Sequence, residues 1–166
     1  MSDEGFESSR IQRLDEGFQG RLERFLEHGQ NAVWRMLTEP QALAQWLAPG
    51  TIEPRAGGVI HIDFEDSGIT IHSTVLEWDP PRRLRYSWSS GDEPVRPLHW
   101  ELAAAEGGTR LILTIGIPLD EDAAKACAGF DAHLEMLAAA LEGVPIRFPF
   151  DRYLQARRSY QALLPK

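Results

Sequence analysis

From Arg21 the apolar positions alternate with polar ones: Leu22, Arg24 and Leu26 fall on one side, and Glu23, Phe25 and Glu27 on the other. That is the pattern of a half-buried strand, broken by the turn-prone run His28-Gly29-Gln30-Asn31. Ala32, Val33, Met36 and Leu37 then recur at helical spacing around Trp34. Thr38-Glu39-Pro40 predicts the end of that helix and the start of another, with Thr38 as N-cap and Pro40 in the first turn. The second helix carries Leu43, Trp46 and Leu47 on one face and stops at Pro49-Gly50.

From Thr51 to Pro118 the period changes to two. A short strand over 51–54 leads into Val59 to Glu65, with Ile60, Ile62 and Phe64 on one face and His61 and Asp63 on the other. Turns at Asp66-Ser67-Gly68 and Asp79-Pro80-Pro81 bound a strand from Ile69 to Trp78. Leu84, Tyr86 and Trp88 share a face of the next strand, Leu98, Trp100 and Leu102 a face of the one after, and Gly107-Gly108 turns the chain into Thr109 to Ile117. Connections this short make the strands antiparallel, because a parallel crossover needs about a dozen residues or more. The pattern predicts a meander of about six strands in addition to the first one.

Helical spacing returns after Asp120-Glu121-Asp122, three acids at the positive end of a helix. Ala123, Cys127, Phe130, Leu134, Leu137 and Leu141 form the stripe of a long amphipathic helix that Gly143 ends. From Val144 a basic extension gives an imperfect helical period through Phe150, Leu154, Arg157, Tyr160 and Leu164, with Phe150, Leu154, Tyr160 and Leu164 expected against the body or a second copy of the chain. The expected organisation is an acidic, solvated arm over residues 1–18, one α+β domain over 19–143 in which the long helix covers a curved sheet of about seven strands, and the extension over 144–166. The many alanines of the long helix either let it approach the sheet closely or leave open space beneath it.

Composition narrows the functional classes. The chain has 166 residues, of which 43% are hydrophobic and 25% charged, ordinary values for one folded domain. A net charge of −8 repels phosphate backbones, so nucleic acid is not an expected partner. Cys127 is the sole cysteine, which excludes an internal disulfide and a cysteine-built zinc site. The acidic start and the lack of a long apolar run predict no signal peptide, no membrane span and a cytoplasmic location. No GxSxG, HExxH, phosphate loop or dinucleotide fingerprint occurs, so neither a cofactor nor a metal is expected.

His61-x-Asp63 and His99-x-Glu101 each put an imidazole and a carboxylate on one strand face, opposite apolar neighbours that take the interior, and read as exposed polar ladders. His72 is undecided: Ile71, Ser73 and Val75 compete for the interior with Thr70, Leu76 and Trp78, and an inward Trp78 brings His72 inward with it. His133, at the edge of the long helix's stripe, reads as a satisfied boundary residue, and Cys127 as an inert buried thiol.

The run from Val33 to Pro40 (VWRMLTEP), followed by Trp46, resembles the VW-x-x-LT-x-P…W signature of the activator-of-heat-shock-protein-90-ATPase homologues. Gly57-Gly58, Val75-Leu76-Glu77 leading to Asp79-Pro80-Pro81-x-x-Leu84, Trp88, and Gly108-Thr109-Arg110-Leu111 are similar to the family's later blocks, in the same order. The match spans about residues 19 to 143. It implies the START-like (SRPBCC) helix-grip fold of bacterial-type single domains, with a cavity between sheet and C-terminal helix. Such a cavity takes its lining from Trp34, Ile60, Ile62, Phe64, Tyr86, Trp88, Leu98, Trp100, Leu111, Leu113, Phe130 and Leu134. Ile115 and Phe130 stand where relatives carry more polar groups or a tryptophan, which favours an apolar interior.

The leading expectation is therefore a domain that binds a small hydrophobic or aromatic ligand and performs no chemistry of its own. An enzyme of the polyketide-cyclase or hydratase sort is the alternative, with His72, Glu77 or Tyr86 as its ionisable group. The third is a protein-binding module, to which the family name adds heat-shock protein 90 and the extension adds a homodimer.

Overall fold

A computed structural model of the protein describes residues 9–65 and 67–165, so residues 1–8 of the expected arm lie outside the described part. In chain order the elements are β1 (Arg10–Leu14), β2 (Gly17–Leu26), α1 (Gln30–Thr38), α2 (Pro40–Trp46), β3 (Gly50–Ile52), β4 (Val59–Phe64), β5 (Ile69–Asp79), β6 (Arg83–Ser87), β7 (Pro97–Ala105), β8 (Gly108–Pro118), α3 (Ala123–Leu141) and α4 (Phe150–Leu163). Every strand pair is antiparallel, the consecutive ones because short turns join them and β2 with β8 because the meander returns to β2 in that sense.

The sheet has eight strands in the order β1-β2-β8-β7-β6-β5-β4-β3. Helices α1 and α2 carry the chain from β2 to the opposite edge, and the meander β3 to β8 walks back until β8 pairs with β2. The fold is α+β, with the long helix α3 against the inner face of a curved sheet. The strand beyond the expected seven is β1. Residues 10–14, read as part of a solvated arm because their side chains are mostly polar, pair with Gly17–Arg21 as an edge strand, and only Ile11 is buried among them. An edge strand that exposes one face needs few apolar residues.

Strand β5 bends the sheet. Its first half pairs with β4 and its second half with β6, and the register shifts between Val75 and Glu77. This bulge adds one residue and so reverses the inward parity. Ile71 and Val75 point inward before it, and Trp78 packs on the core after it. The coupling expected between Trp78 and His72 therefore fails: Trp78 turns in while His72 is exposed.

The ends of the helices show which local signals the chain uses. Thr38 is not the N-cap of α2; its hydroxyl donates back to the Trp34 carbonyl at 2.8 Å, and Glu39 occupies the cap with Pro40 in the first turn. Asp122 caps α3 by accepting from the Lys125 amide at 3.0 Å. Gly143, at φ +79, ends α3 in a Schellman arrangement: the Val144 amide donates to the Ala139 carbonyl and the Gly143 amide to that of Ala140.

Helix α4 packs along α3 and touches β1. Its contact face matches the expected one at Tyr160, which is buried, and at Leu164, which packs on the core, and differs in its first half. Phe150 and Leu154 are exposed, whereas Arg152, Ala156 and Tyr160, at steps of four, face α3. The cause is Asp131 on α3, wholly buried, whose carboxylate accepts from Arg152 Nε at 2.8 Å and from the Tyr160 hydroxyl at 3.0 Å, and also pairs with Arg24 of β2. Desolvated charge held by three donors outweighs the burial of one more aromatic ring in setting the rotation of α4.

Candidate functional site

On β4, β6, β7 and β8 the inner face of the sheet is built by alternation. Ile60, Ile62, Leu84, Tyr86, Leu98, Trp100, Leu111 and Leu113 are all at most 1% exposed, while His61, between two of them, is exposed. Over this face α3 lays Ala124, Cys127, Ala128, Phe130, Leu134 and Leu137. Contact is close at one end, where a Cβ on Gly20 of β2 would come within 2.5 Å of the Cys127 sulfur. A side chain there would have to displace that sulfur.

Two tryptophans anchor the middle. Trp46 of α2 meets Trp100 edge to face at 5.9 Å, and its indole N–H donates to the Met36 carbonyl at 2.6 Å. The Trp100 indole donates to the Tyr86 hydroxyl at 3.3 Å. Trp34 meets Trp78 edge to face at 5.1 Å. Burial pushes the Tyr86 phenol well above its usual range, despite the indole donor that favours the phenolate, so it stays protonated at neutral pH.

From the middle of α3 a run of aromatic rings reaches from the interior to the surface. Phe130 meets Trp88 at 5.2 Å, Trp88 meets Phe64 at 5.9 Å, Phe64 meets His133 at 5.8 Å, and His133 meets Phe148 at 5.6 Å. Phe64 and Trp88 are half-buried and Phe148 is exposed, so the run ends at the connector between α3 and α4. The His133 Nδ1–H donates to the Trp46 carbonyl at 3.0 Å, which leaves the lone pair on Nε2. Burial lowers its pKa from the usual value, against that hydrogen bond, so the ring is neutral at pH 7.

All twelve expected lining residues lie on inward faces or in this aromatic run. The three ionisable candidates do not come together. Tyr86 alone is inside; Glu77 faces outward between Arg83 and His99, and His72 faces outward beside His61. Cys127 is buried, and burial, reinforced by Asp131, pushes its thiol up to about 12, so it carries no thiolate at neutral pH. Phe148 was not singled out in the sequence, since the run Arg147-Phe148-Pro149-Phe150 has no register of its own.

Two shallow concavities, of about 240 and 420 Å³, lie on the outer side and at the end of the sheet around Leu14, Pro97 and Gly116. Neither lies between α3 and the sheet. Among the described residues no group of three metal-ligating side chains occurs, and no helix is long and apolar enough to cross a membrane.

The fold recurs in solved structures. CalU16 from Micromonospora echinospora superimposes with a TM-score of 0.76 at 18% identity, over 94% of this chain and 95% of that one. The protein encoded by gene BPP1335 of Bordetella parapertussis gives 0.73 at 29% identity, over 93% and 90%. DynU16, described as a protein in the dynemicin biosynthetic locus, gives 0.69 at 27% identity; the match covers 75% of this chain and 48% of DynU16. No curated protein matches the sequence. Residues 28–142, from the end of β2 through α3, match the model of the Activator of Hsp90 ATPase homolog 1-like protein family, and the chain belongs to that family of the START-like helix-grip superfamily.

Proposed function

We propose that the protein binds a small hydrophobic or aromatic ligand between α3 and the inner face of the sheet and does no chemistry on it. The observation that carries this reading is the ring run from Phe148 through His133, Phe64 and Trp88 to Phe130, which joins solvent to the interior with apolar and aromatic surface. Aromatic walls with few polar groups suit an apolar ligand. The inward groups also lack a nucleophile paired with a base: the Cys127 thiol and the Tyr86 phenol are held protonated by burial, and His133 is bonded to a backbone carbonyl. DynU16, a relative at 27% identity, belongs to a biosynthetic locus, which supports a small molecule as the ligand class.

The test is displacement of anilinonaphthalene sulfonate by planar aromatic compounds, with Trp88→Ala and Phe130→Asp as variants. Saturable displacement by wild type and its loss in folded variants supports the reading. Displacement that both variants leave intact overturns it.

A second reading, contact between two copies through the extension, is favoured by the exposed side chains Val144, Ile146, Phe150 and Leu154. Sedimentation of the intact chain against a variant with Ile146 and Phe150 changed to serine distinguishes a dimer from a monomer.

A further inference from the structure

We infer that His61 and His72 form a chelating site for a divalent transition-metal ion on the outer face of the sheet. The two residues are cross-strand partners on β4 and β5, and both side chains are exposed on the face opposite α3. The His72 amide donates to the Ser89 carbonyl on its other side, so His61 and His72 are a pair without mutual backbone hydrogen bonds. In such pairs the Cα atoms approach to about 4.5 Å and the side chains come closer than at hydrogen-bonded positions. The rings meet at 5.6 Å between centroids and cross at 72°, with the two Nδ1 atoms 3.4 Å apart.

That separation matches the chemistry. Two imidazole bonds of about 2.0–2.1 Å at a tetrahedral angle set their nitrogens roughly 3.3–3.4 Å apart. As a hydrogen bond between two rings, 3.4 Å is long, and it places two acceptor-capable nitrogens opposite each other. Asp63, two residues along β4 on the same face, adds negative charge about 7 Å away. The other histidines are isolated: His28 contacts Glu142, His99 lies 3.7 Å from Glu77, and His133 bonds the Trp46 carbonyl. Two imidazoles with water in the remaining positions suit zinc, nickel or copper(II), whereas magnesium and calcium prefer oxygen ligands. The site is open and has two protein ligands, so it exchanges its ion and belongs to the folded sheet only.

The test uses zinc chloride with magnesium chloride as the control, in calorimetric titration and thermal unfolding at pH 7.5. Wild type is expected to bind one zinc ion per chain and to unfold at a higher temperature with zinc than with magnesium. Loss of an outer-shell partner already lowers metal affinity on the order of 10–100-fold, so His61→Ala and His72→Ala, at exposed positions that leave the core intact, should each weaken zinc binding by at least about tenfold and abolish the thermal shift. His99→Ala should change neither. With copper(II), electron paramagnetic resonance should report two nitrogen ligands in wild type and one in either variant. Zinc binding that survives the double variant, that is lost in His99→Ala, or that is absent at millimolar zinc overturns the site.

Discussion

Arg152 of α4 meets Asp131 of α3 at 2.8 Å, with side-chain exposures of 12% and 0%. This pair fixes which face of the C-terminal helix lies on the domain, and with it the position of the connector that carries Phe148. Removing one partner of a buried pair costs about 3–5 kcal/mol, because the other charge is left without compensation. Asp131→Ala is expected to lose on that order in urea unfolding, since Arg24 and Arg152 both lose the buried Asp131 carboxylate, although Glu135 stays 3.0 Å from Arg152 Nε. Truncation after Gly143 should lower the melting temperature and expose the part of α3 around Asp131 that Arg152 and Tyr160 cover. Unchanged stability in both variants would mean that α4 does not hold the domain.

Gly20 and Cys127 mark where helix and sheet come closest. Gly20→Ala is expected to cost about 1–3 kcal/mol through overpacking. Cys127→Ala in the same chain removes the sulfur the new methyl group meets, so the double variant should be more stable than the sum of the two single effects requires. Strict additivity would place the strain elsewhere.

His133 makes stability depend on pH with a defined sign. Its folded pKa lies below the usual 6.5, mainly because of burial, so the unfolded chain takes up the proton more readily than the folded one. Its contribution is complete above pH 6.5, falls as the pH drops through that value, and levels off below the folded pKa. Urea midpoints measured from pH 7.5 to 5 should show this fall, and His133→Gln should flatten it. A slope identical in the variant would assign it to other groups.

Phe130 is buried and ring-packed on Trp88 at 5.2 Å. Phe130→Ala should therefore cost about 3–5 kcal/mol. A loss near 1 kcal/mol would show the ring bordering open space in solution.

Much of this architecture is legible in the sequence, for reasons specific to each element. Ile60, Ile62, Leu84, Tyr86, Leu98 and Trp100 betray their face because a period of two sorts every side chain in or out, and a one-residue slip would expose all of them together. The stripe through Cys127, Phe130 and Leu134 does the same for α3. The bulge at Leu76 is hidden, since an extra residue inside an apolar run leaves two parities equally good; the side of His72 stays open, and its coupling to Trp78 fails at the bulge. Strand β1 was hidden because an edge strand can be almost wholly polar. Asp131 reads as one more charge beside the stripe; its burial comes from Arg24 and Arg152, 107 and 21 residues away in the chain. The aromatic run ending at Phe148 depends on how the connector after α3 folds back, which no local period encodes.

The central claim is that an apolar ligand enters along the aromatic run and lodges between α3 and the sheet. Its most direct measurement is a titration of the nitrogen-15-labelled protein with a planar aromatic compound, followed by indole and backbone N–H cross-peaks. The account predicts saturable shifts in the Trp88 and Trp100 indoles and in the amides of Phe130 and His133, with the outer-face amides of His99 and Gly116 unmoved. Shifts confined to His99, Gly116 and their neighbours around the outer concavities would contradict it.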